Sequence, residues 1–98
     1  MITRFENHMR AHHVGKNKVV SSKELEHILH CKGADIRSMV NELRCKGVPI
    51  CSCTQGYFLA SNVEDINETI AHLHGRIKKI QAAIDGLNQA KRHIKDGN

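Results

Sequence analysis

Residues 21–59 read SSKELEHILHCKGADIRSMVNELRCKGVPICSCTQGYFL, and the order of signals in this stretch decides the fold. Ser21, followed three residues later by Glu24, is a capping-box start, and Leu25, Ile28 and Leu29 then give a helix one apolar face. Lys32-Gly33 is expected to end that helix, because glycine takes the left-handed conformation that closes a helix. A further helix is expected over residues 34–46. Ile36, Val40 and Leu43 recur there at i, i+4 and i+7 with Met39 beside them, and Arg37, Ser38, Asn41 and Arg44 fall on the opposite face. Lys46-Gly47-Val48-Pro49 stops it with a cation in the last turn, a glycine just past the end and a proline soon after. Ile50–Thr54 and Tyr57–Leu59 then read as two strands around Thr54-Gln55-Gly56, a hairpin whose glycine supplies a positive φ.

Working outward, Ile2, Phe5, Met9 and Val14 lie at near-helical spacing with no glycine or proline before Gly15, which predicts a first helix over residues 2–14. Lys18-Val19-Val20 is β-branched and too short for a helix, which predicts one short strand. On the other side, Asn62 is an N-cap with Asp65 at the third helical position. A heptad seam follows, with Val63, Ile70, Ile77 and Ile84 at a and Ile66, Leu73, Ile80, Leu87 and Ile94 at d. Lys91 alone interrupts it, at an a position. As a single helix, residues 63–95 would be about 50 Å long. A small domain cannot cover that length, so the stripe predicts self-pairing into a homodimer through Ile66, Ile70, Leu73, Ile77, Ile80, Ile84 and Leu87. Ala83 and Ala90 at g remove the charges that usually set the direction of pairing, which therefore stays open.

At 98 residues the chain has room for one compact domain, residues 1–60, and one appendage, the helix of residues 61–98. The fold class expected is mainly α with a small β-hairpin (α+β). With aromatic residues at 3 %, neither a β-sandwich nor an aromatic platform for single strands fits. The net charge is +5, and the excess is uneven: residues 1–60 hold nine Lys and Arg against five Asp and Glu, whereas residues 61–98 hold six against five. That bias points the first segment towards a polyanion. The chain carries no apolar leader and no apolar run near the roughly 20 residues that cross a bilayer, so a cytoplasmic location is expected. There Cys31, Cys45, Cys51 and Cys53 are expected as thiols.

Helix, short strand, helix, turn, helix and hairpin is the order of a winged helix-turn-helix domain. The runs Ser22-Lys23-Glu24-Leu25, Val40-Asn41-Glu42-Leu43-Arg44, Lys46-Gly47-Val48-Pro49-Ile50 and Gly56-Tyr57-Phe58-Leu59 resemble the N-terminal DNA-binding domain of biotin-operon repressors and related phage and bacterial regulators. The resemblance implies that the helix of residues 34–46 enters the major groove of double-stranded DNA and that the wing at residues 54–56, with Thr54 and Gln55, lies along the backbone or minor groove. Arg37 then suits the O6 and N7 acceptors of guanine, Asn41 the N6 and N7 edge of adenine, and Ser38 either a base edge or a phosphate. Arg44, Lys46, Lys32, Lys16 and Lys18 are expected to contact phosphates.

The same face of Arg, Ser and Asn also suits a solvated helix, so a protein-binding adaptor or inhibitor of a host machine on a winged-helix scaffold is the alternative. A thiol or metal sensor is a third. Structural zinc sites pair cysteines two to four residues apart, whereas 13, 5 and 1 residues separate the four cysteines here, and His8 with His12 supplies only two ligands one turn apart. No metal and no cofactor are expected. Without a nucleophile elbow or a phosphate-cradling glycine loop, the chain is not expected to be an enzyme.

Overall fold

Asn62 and Ser21 act as the sequence predicts: Asn62 Oδ1 accepts the Asp65 N–H at 2.9 Å and Ser21 Oγ accepts the Glu24 N–H at 3.1 Å. The computed structural model describes residues 1–96. Its elements are α1 (Ile2–His12), a 3-10 turn (Lys16–Lys18), α2 (Ser22–Leu29), α3 (Gly33–Cys45), β1 (Ile50–Cys53), β2 (Gly56–Leu59) and α4 (Val63–Lys95). The chain is thus mainly α with one antiparallel hairpin, paired Ile50 to Leu59 and Cys53 to Gly56, and a long C-terminal helix. Phe5 and Met9 of α1, Leu25 and Leu29 of α2, and Ile36, Val40 and Leu43 of α3 meet Ile50 and Leu59 in one core.

Four local expectations change. The first helix ends at His12, because residues 13–15 leave it to bond the edge of β2: the Leu59 N–H donates to the His13 carbonyl and the Gly15 N–H to the Leu59 carbonyl, both at 2.8 Å. Val14 consequently sits exposed beside Leu59 instead of on the apolar stripe of α1. The strand expected at residues 18–20 shrinks to a single bridge, Val20 exchanging two hydrogen bonds with Tyr57, because the 3-10 turn ends at Lys18 and the Ser21 cap starts α2. Helix α2 stops at Leu29. Its end is closed by His30 in the left-handed conformation (φ 53°), and the glycine expected in that role, Gly33, is the first residue of α3. Lys32 N–H donates to the Asp35 carboxylate at 3.0 Å to start α3.

Thr54 leaves the strand and forms, with Gln55, the whole tip of the hairpin, while Gly56 belongs to β2. Gly56 has φ 140°, and a Cβ there would lie 2.0 Å from the Val20 carbonyl oxygen. Only glycine lets the Val20 backbone cross β2 at this point.

The first three turns of α4 pack on the domain. Asp65 is buried and accepts the Ser61 N–H at 3.2 Å, and Thr69 is buried with its Oγ1 accepting the Ser52 N–H at 3.3 Å. The division at residue 60 is therefore crossed by these contacts. From Arg76 to Lys95 every residue of α4 is exposed. No helix among the described residues is long and apolar enough to cross a membrane.

Candidate nucleic-acid interface

Helix α3 exposes one long arc, and its two edges differ in charge. One edge carries Arg37, Asn41 and Arg44, three and four residues apart and hence stacked along the helix. These three form the floor of an open groove of about 560 Å³, walled by the hairpin tip with Thr54 and Gln55, by Ser22 and Lys23 at the start of α2, and by Leu73 and Arg76 of α4. The side chains that line it include four cations, Lys23, Arg37, Arg44 and Arg76, and no carboxylate. The positive end of the α2 dipole adds to the same field. The other edge carries Asp35, Ser38 and Glu42 and faces a separate cleft beside Met1 and Ile2.

Arg44 is the most constrained of the four cations. Its Nε donates to the Ile50 carbonyl at 2.7 Å and its Nη2 to Ser52 Oγ at 3.2 Å, so the guanidinium ties α3 to β1. Burial pulls its pKa below the ordinary guanidinium value. A guanidinium stays charged through such a shift, so Arg44 contributes a fixed positive charge to the floor, its orientation set by two of its five N–H donors.

The structure brings Arg37, Asn41, Arg44, Thr54 and Gln55 together in the groove. The other residues expected to contact DNA stand elsewhere. Ser38 lines the acidic cleft; Lys16 is paired with Glu68 of α4 at 3.2 Å; Lys18 ends the 3-10 turn; Lys32 and Lys46 flank α3 at its two ends. Two cations of the groove, Lys23 and Arg76, are absent from the sequence reading. Lys23 had a signal, its place in the first turn after the Ser21 cap. Arg76 had only its g position beside Leu73, which becomes meaningful once α4 is seen to pass the hairpin.

The cysteines and histidines stay apart from this groove in all but one case, Cys53, which lies on its wall. All four cysteines are free, and among the described residues no three His, Cys, Asp or Glu side chains are placed to hold one metal ion. Cys51 is buried against α4; burial, and then the charge of Asp65, push its thiol pKa up, opposed by the Thr69 hydroxyl. Such a thiol is a poor nucleophile. His8 bonds a third histidine: its Nε2 lies 3.1 Å from Nε2 of His13, whose Nδ1 lies 2.9 Å from the Lys18 carbonyl. That carbonyl can only accept, so His13 carries a proton on Nδ1, and the two Nε2 atoms share one further proton between them.

Compared with protein-family models, with curated proteins and with solved structures, the chain finds no match.

Proposed function

We propose that this chain is a homodimeric winged helix-turn-helix protein that binds double-stranded DNA through α3 and the hairpin tip, a cytoplasmic transcriptional or replication regulator of the phage or bacterial kind. The observation that carries this reading is the carboxylate-free groove with Lys23, Arg37, Arg44 and Arg76 around Asn41. Arg37 and Asn41 are exposed, and α3 presents them to a ligand on the hairpin side, away from Asp35 and Glu42. Arg37 suits guanine and Asn41 adenine, while Lys23 and Arg76, reaching in from two other elements, suit the phosphates on either side. Arg44 acts mainly by holding the hairpin at its angle to α3.

Mobility shift against a selected site and a random duplex, at two salt concentrations, tests the reading. Arg37→Ala and Asn41→Ala are expected to cost about 1–3 kcal/mol each on the selected site and little on random duplex. Lys23→Ala and Arg76→Ala are expected to weaken both equally and to lower the salt slope by about one each. A second reading, a protein-binding adaptor, draws on the acidic edge of α3 at Asp35 and Glu42, which suits a basic protein surface. Absence of salt-dependent binding to any duplex would favour it and end the first.

A further inference from the structure

Helix α4 leaves one face without a partner, and its charges say which way a partner runs. Ile77, Ile80, Ile84 and Leu87 are between 46 % and 71 % exposed, and they continue into an apolar groove of about 320 Å³ between the start of α4 and the loop at Val48 and Pro49. Resting on the dimeric reading above, we infer that the occupant of this face is a second copy of α4 lying antiparallel over its full length, with its C-terminal half seated against the Val48–Pro49 groove.

Three observations carry the direction. The first is the seam itself. In an antiparallel pair each a position faces a d position, and one register satisfies the whole helix: Ile77 meets the partner's Ile80, Ile70 meets the partner's Leu87, and Val63 meets the partner's Ile94. The second is Lys91, the one seam residue that is not apolar. In a parallel pair in register it would face the partner's Lys91, two ammonium groups in one layer. In the antiparallel register it faces the partner's Ile66, where its methylene stem can lie on apolar surface while the ammonium reaches outward. The third is where it reaches. The first two turns of α4 expose Glu64 and Glu68, the latter beside Lys16, and the last two hold Lys91, Arg92 and Lys95. Parallel helices set like charge beside like at both ends, whereas antiparallel helices set the basic end of each beside the acidic end of the other and oppose their dipoles. Lys78 and Lys79 lie outside the seam near the midpoint of either arrangement and do not discriminate. Across the e positions the antiparallel register pairs Asn67 with the partner's Asn88 and His74 with the partner's Gln81, neutral groups that can exchange hydrogen bonds.

Sedimentation equilibrium of the full chain and two charge variants tests the direction. Lys91→Glu sets an acid against the partner's acidic end, twice per dimer, and is expected to weaken the dimer roughly three- to ten-fold; Lys91→Glu combined with Glu64→Lys is expected to recover most of that loss. A dimer that is unchanged or tighter in Lys91→Glu overturns the antiparallel pairing, since only that pairing sets position 91 beside the partner's acidic end. A mixture of Ile70→Cys and Leu87→Cys chains, oxidised and mapped by mass spectrometry, is expected to give a disulfide joining positions 70 and 87; one joining position 87 to position 87 overturns the direction while leaving a dimer. A wild-type monomer at tens of micromolar overturns the dimer and the direction together.

Discussion

Ile36 and Ile77 are the same side chain in the same kind of secondary structure, yet Ile36 is fully buried and Ile77 is 60 % exposed. The difference lies in what surrounds each helix. Helix α3 has 13 residues, about 20 Å, and its apolar residues meet α1, α2 and β1 along that whole length. Helix α4 has 33 residues and outruns the domain after Leu73, so its later isoleucines have the spacing of a packed seam with nothing of their own chain to pack on. Short helices with a broad apolar stripe are solved within the chain; a long helix with a narrow seam at 3.5-residue period is solved between chains.

Glycine makes the contrast sharpest. Gly56→Ala is expected to destabilise the domain by more than about 3 kcal/mol, because the new Cβ would collide with the Val20 carbonyl at a positive φ. Chemical denaturation followed by circular dichroism reads this, and a loss under about 1 kcal/mol would show that the Val20–Tyr57 bridge yields without cost. Ile77→Lys comes next. It is expected to convert the proposed dimer to a monomer, since an unpaired ammonium in the seam costs several kcal/mol, while the domain keeps its fold. Sedimentation and one-dimensional proton NMR together separate the two regions; collapse of the domain signals would mean that Ile77 belongs to the domain core. Gly86→Ala, in the free half with open space around the Cβ, is expected to go the other way and add about 1 kcal/mol of helix stability. Thermal melting of the far-ultraviolet signal checks its sign.

The smallest effect belongs to the domain side. Burial, with the charges of His13 and His12, lowers the pKa of His8 in the folded chain. The unfolded chain then binds more protons, so stability is fully present above the ordinary histidine pKa of about 6.5 and is lost as pH falls through the folded value. The melting temperature is expected to drop between pH 7 and pH 5, and His8→Gln to flatten that drop. An equal slope in the variant would move the effect to another group.

Much of the fold is legible because single residues decide it. Ser21 and Asn62 cap helices wherever they precede an apolar period, and Gly47 with Pro49 ends α3 whatever lies around it. Val14, Lys18–Val20 and Gly33 misled because their fates depend on distant backbone: β2 draws residues 13–15 away from α1, Tyr57 accepts only Val20, and His30 closes α2 before Gly33 is reached. The candidate site divides along the same line. Arg37, Asn41 and Arg44 share an edge by helical arithmetic alone, but Lys23 and Arg76 enter from elements whose positions the sequence does not print. Glu68, 52 residues from Lys16, withdraws that lysine in the same way.

Thr69 gives the long helix a mechanical meaning. Its hydroxyl holds the Ser52 N–H of β1, about two turns before Arg76 enters the groove, so the hairpin is fastened to the same rigid rod whose far end lies about 40 Å away. That rod is a lever with its fulcrum under the hairpin. A tilt of about 5° at Thr69 sweeps the far end through roughly 3.5 Å, by the geometry of a rod of this length. In reverse, a displacement of a few ångströms at Ile94 is geared down to a fraction of an ångström near Ser52.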